Sequence, residues 1–596
     1  MQPKHRWTFP AAVDVQPEIA AEAVHAGLSS RAVEVLVRRG LLDAAELRAF
    51  VAEPELALHD PGLLPDADRF LARIQRARAA GEGVLVFGDF DADGLSGLAT
   101  MTIALRAAGL RAEPYVPSRE LEGHGLSLRA VEWAAARGFG LIVTVDCGST
   151  SLAEVAAAGA LGTDVLITDH HRVPAEMPAA AAIVNPHRPD AAYPDRRLSG
   201  SGVAFKVAQL LLADLPGGPA AALALAELAT IGTVADVAPI LGENRAIARL
   251  GLAKMRTAPR AGIAALLSRA GIAPAAADLE TVAFALAPRI NAAGRVGEAL
   301  DAARLLLTDD PAEAAELAER LETANGARRE LTKLALEEAQ RLAESAPLDD
   351  GATIVRGDWP VGIVGLVASR LAEDRGRPAV VGTNLGGIVR ASCRSAGGVN
   401  LAELLESCRD LLLRHGGHAG AAGFEIETGR WDAFRVRFLG LVGAFAPADP
   451  RPELVLDLAL SAAAVDYPLL RELALLAPTG PGNPEPLVGI LGLTVARVRL
   501  ATGGHTQLTL RRERDVLDAI AFGRADLADT VREGDRVDVV ARLASRTFGG
   551  FESIQLEVRD VASSGDHPAA AAILAAAAAP VRPEAAAGAV AASASR

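Results

Sequence analysis

The chain has 596 residues, half of them hydrophobic, and a formal net charge of −14. That length is more than one core organises and predicts three or four domains. The acidic balance argues against a protein that coats duplex nucleic acid, the absence of any ~20-residue apolar run argues against a membrane span, and three widely spaced cysteines, Cys147, Cys393 and Cys408, indicate no disulfide framework.

Residues 1–80 read as a helical lead-in, with helical apolar spacing in RAVEVLVRRG and DADRFLARIQRARAAG. The opening MQPKHRWTFPAAVDVQ lacks the apolar core of a secretory signal, so a cytoplasmic location is expected. From 83 to 171 short β-branched runs, VLVF, LIVTV and DVLIT, alternate with helical stretches such as SGLATMTIALRAAG. Continuously apolar strands are those buried on both faces, and the alternation predicts a parallel α/β sheet.

Each of these strands ends in ligand-type side chains. VLVFGDFDADGLSG ends in Asp89, Asp91 and Asp93; LIVTVDCGS ends in Asp146; DVLITDHH ends in Asp169, His170 and His171. Carboxylates this close repel in low dielectric and need a cation or open water. The first cluster alone fits a solvated acidic turn as well as a metal site. A calcium loop of the EF-hand kind is excluded, because its twelfth position, which requires a bidentate Glu, is Thr100. Ligands bind at the carboxyl ends of strands in doubly wound sheets, and Asp with imidazole suits manganese, zinc or magnesium. Two such ions sharing a carboxylate would carry out phosphodiester hydrolysis.

Residues 203–270 look helical, and 300–345 predicts two helices, the second long and beginning after Pro311. A second, smaller α/β unit begins near Ala352 with ATIVRG and PAVVGT as strands and a helix between them. GPGNPEP is a Pro/Gly connector. Five strands follow, LGLTVARVRL, HTQLTLRR, VLDAIAFG, DRVDVVARL and ESIQLEVRDV, with a helical patch at DLADTVRE, the pattern of an oligonucleotide-binding (OB) barrel. Residues 487–565 hold 11 basic and 11 acidic side chains, so strand binding there would depend on local arginine placement. Phe548 and Phe551 are candidates to stack on bases or to pack in the core. The Ala-rich 566–596 reads as a disordered tail or a frayed helix. The boundaries expected are 1–80, 81–300, 301–350, 351–445, 446–486, 487–565 and 566–596.

GDFDADG, VDCGS, TDHH and GTVADVAP (232–239, carrying Asp236) resemble the motifs of the DHH phosphoesterase family. YVPSRELEGHGLS, LSGSGVAFK, APRINAAGR, GGHAGAAGF and GPGNPEP narrow the resemblance to its RecJ-type single-stranded-DNA exonucleases. The resemblance implies a parallel-sheet DHH domain joined by a long helix to a smaller α/β domain, with a C-terminal OB-like β-barrel. It implies 5′-to-3′ digestion of single-stranded DNA to mononucleotides with two Mn2+ or Mg2+ ions, in repair and recombination. A monomer is implied, collaborating with a helicase and a single-strand-binding protein. The alternative within the family is a phosphodiesterase of short RNA or cyclic dinucleotides.

By the same resemblance Asp146 bridges the two ions, Asp91 and Asp236 hold one, and Asp93 and His170 hold the other. Asp89 is a ligand or a close neighbour of one. His171 faces the scissile phosphate and Asp169 orients a histidine. Arg119, Ser392 and Arg394 form a 5′-phosphate pocket, while Arg289 and Arg295 clamp backbone phosphates. Asn291 is a substrate contact or a turn residue, and His418, among small residues, lets the backbone approach a phosphate. Three departures stand out: Pro360 takes the place of a histidine common in the family, Cys147 that of an asparagine, and Ser199 and Ser201, flanking Gly200, stand where Cys and Ala are frequent.

Overall fold

A computed structural model describes residues 1–119, 121–344, 351–396, 398–443, 451–548 and 551–565. The chain divides into two compact units, one of Ala49–Pro450 with Pro478–Pro484, the other of Met1–Arg48, Arg451–Ala477 and the chain from Glu485 on.

The larger unit is built on a five-stranded sheet whose pairings are all parallel. In chain order its strands are β1 (Gly83–Gly88), β2 (Arg111–Tyr115), β3 (Phe139–Val145), β4 (Asp164–Thr168) and β5 (Ala182–Val184). The spatial order β2-β1-β3-β4-β5 reverses direction at β1. All six residues of β1 are buried, as expected of a strand covered on both faces. The reversal opens a crevice at the carboxyl ends of β1 and β3, where such sheets bind ligands.

Three helices close on that crevice. Helix α1 (Ala92–Ala107) begins inside the acidic motif; α2 (Gly200–Leu212) packs along α1, and α3 (Ala226–Ala235) crosses both. The apolar stretch Gly218–Ala235, which ends with α3, is 61% buried inside the unit, so its hydropathy is that of a core element. Helix α4 (Ala287–Val296) follows a π-helical turn, and α5 (Pro311–Glu344) is the long helix anticipated after Pro311.

Helix α5 leads to the second α/β layer: β6 (Thr353–Gly357), helix α6 (Val361–Arg375), β7 (Ala379–Leu385), β8 (Ile388–Arg394), β9 (Arg414–Gly417) and β10 (Ala421–Glu427). Its order is β9-β10-β8-β7-β6. Only the β6–β7 pair is parallel, because a helix separates those two strands while the others meet through hairpins or short connections. GGHAGAAGF straddles the β9–β10 hairpin rather than a free turn.

In the other unit, β11 (Val488–Ala501), β12 (His505–Arg512), β13 (Asp515–Ala521), β14 (Arg536–Phe548) and β15 (Phe551–Ser563) form the barrel. β11 pairs with both β12 and β14, which closes the five strands. Three strands run 13 or 14 residues, longer than sequence alternation alone suggests. Bulges at Val495/Arg497 and Val540/Ala541 bend them around the closure. The lead-in is not wholly helical: Arg6–Thr8 is a strand paired in parallel with Glu453–Val455, and the Trp7 indole donates to the buried carboxylate of Asp560 at 2.9 Å.

Candidate metal centre

The carboxyl ends of β1, β3 and β4 bring the strand-end side chains together. Asp146 follows β3 with φ 62°, a left-handed backbone, and its N–H donates to the Thr168 carbonyl at 3.0 Å. His170 follows β4. Its Nε2 lies 3.1 Å from Asp146 Oδ1 and 3.9 Å from Asp93 Oδ2, while its Nδ1 lies 3.9 Å from Asp236 Oδ2. Two ligand sets result, Asp146 with His170 and His171, and Asp93 with His170 and Asp236, each within 4.8 Å across its donor atoms. Asp236 thus stands with Asp93 and His170, where the resemblance pairs it with Asp91.

Asp93 is held from a distant part of the chain. The first amides of α2 donate to both its oxygens, Gly200 N–H to Oδ2 at 2.7 Å and Ser201 N–H to Oδ1 at 2.9 Å. Those amides and the helix dipole favour a carboxylate there. Asp91 is the N-cap of α1 and accepts from the Asp93 and Gly94 amides. Asp89 accepts from the Phe90 N–H through Oδ1, and its Oδ2 lies 2.8 Å from His124 Nδ1. Asp169 is the brace of the motif: it accepts from the amides of Ser149, His170 and His171, and from His171 Nδ1 at 2.8 Å.

The electrostatics ask for a cation. Burial, together with the charge of Asp93, pushes the Asp146 carboxyl well above its ordinary value. Burial and the charges of Asp89 and Asp93 push Asp91 up as well. Asp236 rises to about 7 through burial and Asp93, although its side chain keeps 38% exposure. Burial would also raise Asp169, but the hydrogen bond and charge of His171 hold it below the usual range, and the same bond lifts His171 to about 9. Asp146 Oδ1 is buried, accepts no well-directed hydrogen bond and lies 3.1 Å from His170 Nε2. A buried carboxylate oxygen among Asp and His donors fits divalent manganese or magnesium.

An arginine-lined region adjoins the acids. Arg119 lies over the Phe90 ring, 3.9 Å from its centroid, and its Nε donates to the Gly294 carbonyl at 3.1 Å. Arg295 donates to the Gly362 carbonyl of α6, and burial with the charges of Arg119, Arg328 and Arg394 lowers it to about 10. Gly365 of α6 faces both Ser392 and Arg394, since a Cβ there would meet their side chains at 3.4 and 3.1 Å. Gly423 pairs with Ser392 and Ala421 with Arg394, which puts the turn bearing exposed His418 at the same end of the sheet. Arg289 differs: it is ion-paired to Glu322 and bonded to the Ala285 carbonyl, so it is committed within the fold. Asn291 accepts from the Ala92 N–H and ties α4 to α1. The side chains of Phe548 and Phe551 lie outside the described residues, as does 566–596.

The sequence marked Gly200 and Ser201 only as a departure from the family pattern, and it did not single out Phe90, His124, Asn325 or Arg328. The last two sit three residues apart on α5, and each buries a polar atom, Asn325 Oδ1 and Arg328 Nε, without a partner. Their N-x-x-R spacing places them on one helical face and was the available signal.

Three family models match in order: the DHH family N-terminal domain over 83–233, the DHHA1 domain over 350–442 and the RecJ OB domain over 456–560. The single-stranded-DNA-specific exonuclease RecJ of Bacillus subtilis is 34% identical over 94% of this chain and 71% of its own length. The RecJ of Escherichia coli is 34% identical over 88% of this chain and 94% of its own. The chain belongs to the RecJ family. A crystal structure of RecJ from Thermus thermophilus in complex with Mn2+ superposes with a TM-score of 0.79 at 32% identity, covering 94% of this chain and 79% of that one. A Mg2+ complex of the same protein matches with a TM-score of 0.73 at 31% identity, covering 93% of this chain and 78% of that one.

Proposed function

We propose that the chain is a metal-dependent exonuclease of single-stranded DNA, working from the 5′ end and releasing mononucleotides in repair and recombination. The observation that carries this reading is the convergence of Asp93, Asp146 and Asp236 on His170 at the strand ends, with Asp146 Oδ1 buried 3.1 Å from His170 Nε2. Asp91, Asp93, Asp146, His170 and Asp236 would hold the cations, with Asp89 bordering them or binding one. A bound pair of divalent ions supplies hydroxide near neutral pH and stabilises the attacking and leaving oxygens.

The chain's own residues do the rest. The α2 amides hold Asp93 in place. Asp169 fixes the His171 ring through Nδ1, which leaves Nε2 free to face a phosphate. Arg119, Ser392 and Arg394 would take the terminal 5′-phosphate, where guanidinium geometry suits a doubly charged group. Arg295 would contact the next phosphate. Arg289 serves the fold, and Asn291 positions α1.

Intact ligands and the C-terminal barrel favour the exonuclease over a dinucleotide phosphodiesterase on the same core. We further read 81–300 as the catalytic domain, 301–350 as the connecting helices, 351–445 as the substrate-binding domain and 487–565 as the strand-binding barrel. A monomer in the cytoplasm that works with a helicase and a single-strand-binding protein is the setting the resemblance suggests. The test is digestion of a 3′-labelled single strand in Mn2+. Stepwise shortening from the 5′ end supports the reading, whereas hydrolysis of dinucleotides alone would replace it.

A further inference from the structure

The segment between β2 and the helix Leu128–Ala136 carries two side chains that reach the acidic motif, and both rest on one ring. Phe90, fully buried, lies between Asp89 and Asp91 in sequence. The Arg119 guanidinium lies over its ring at 3.9 Å, and the His124 imidazole tilts against it with centroids 4.5 Å apart. His124 Nδ1 meets Asp89 Oδ2 at 2.8 Å, while its side chain stays 68% exposed. The segment is braced from within by Glu122, which accepts from the Tyr115 hydroxyl, the Ser118 N–H and the Ser127 hydroxyl. Phe90 cannot drift, because Gly294 of α4 packs so closely on its carbonyl that a Cβ there would collide with it.

We propose that Phe90 and His124 are positioning residues that set the distance between the end-binding Arg119 and the metal-binding acids. This inference rests on the exonuclease reading and deepens it. Burial costs Arg119 its hydration, and the ring face together with the Gly294 carbonyl replaces part of it. Arg119 is therefore presented at a fixed place relative to Asp89 and Asp91, whose backbones flank the ring. His124 closes the other contact: its Nδ1–H donates to Asp89 and holds that carboxylate against the braced segment. An enzyme so built would cut at a constant distance from the bound end, because the two anchors cannot move independently.

The experiment compares matched 5′-phosphoryl and 5′-hydroxyl single strands, by KM and kcat in Mn2+ and by fluorescence anisotropy in EDTA, for the wild type and for Phe90→Leu, His124→Ala and His124→Asn. Phe90→Leu keeps apolar volume and removes the ring face. Its preference for the phosphoryl end should fall about tenfold, mostly in KM and in the EDTA binding constant. His124→Ala should weaken Mn2+ binding in calorimetry while keeping the end preference. His124→Asn, whose amide nitrogen replaces Nδ1, should restore that binding. If the wild type prefers phosphoryl ends and Phe90→Leu, folded by circular dichroism, keeps the full preference, the positioning role is overturned while the exonuclease reading stands. Equal weakening of both end types, or failure of His124→Asn to outperform His124→Ala, also overturns it. A wild type with no end preference removes the end pocket and this role together.

Discussion

Gly200 and Asp146 sit in such close register that a Cβ built on Gly200 would come within 2.5 Å of the Asp146 carboxylate. The two lie 54 positions apart in sequence, the difference between 200 and 146. Their approach brings the α2 amides down onto the crevice, where they also hold Asp93.

Gly200→Ala is therefore expected to damage the site more than the fold. Asp146 is confined by its left-handed backbone and cannot yield without moving off the cation site. Overpacking of this kind costs about 1–3 kcal/mol of stability. Turnover should fall by more than about a hundredfold, since a displaced ligand acts directly on the transition state. Activity assays beside thermal melts check this, and near-wild-type turnover in Gly200→Ala would mean that the approach is not functional.

Asp146→Asn separates stability from activity. The folded carboxyl binds its proton more tightly than the unfolded one, because burial and Asp93 disfavour its charge. Its stabilising contribution is thus present at acidic pH and lost as pH rises. In metal-free buffer at neutral pH the neutral Asn should raise Tm by several degrees. Turnover should be lost, and retention of more than about a tenth of the wild-type rate contradicts the metal role.

Glu227 offers the same physics away from the site. It is fully buried on α3, its Oε1 has no hydrogen-bond partner, and burial raises it from 4.5 to about 7. A raised carboxyl stabilises below its unfolded value and loses that contribution as pH rises through about 7. Glu227→Gln should match the wild type in acid and become more stable above neutrality, by up to about 3 kcal/mol. Denaturant melts across pH check this, and parallel curves for the two proteins contradict it.

Arg394→Ala tests the end pocket. Removing one guanidinium from a phosphate costs about 1.5–3 kcal/mol where the bond is charge-assisted. The loss should fall on 5′-phosphoryl strands and spare 5′-hydroxyl ones in a side-by-side KM measurement. Equal slowing of both would remove Arg394 from the pocket.

The acids were legible because β1, β3 and β4 are short, β-branched and buried on both faces, and each ends in an Asp or a His. Strand-end placement is a local property, so the sequence carries it. The long α5 was legible from Pro311 and its helical spacing. The support for those acids was not, because it comes from elsewhere: α2 amides for Asp93, the His124 ring for Asp89, the Asn291 amide oxygen for the first turn of α1. The Glu322 partner of Arg289 was not legible either, because nothing in PRINAAGR announces an acid on a later helix. The strand at Arg6–Thr8 was hidden for the same reason, since its partner Glu453–Val455 lies at the other end of the chain.

Calorimetric titration of the metal-free protein with Mn2+, set beside Asp146→Asn, tests the central claim most directly. The proposed ion pair at Asp91, Asp93, Asp146, His170 and Asp236 predicts two ions per chain in the wild type and loss of at least one in the variant. Absence of Mn2+ binding, or a stoichiometry and affinity untouched by Asp146→Asn, would contradict a cation pair held by these side chains.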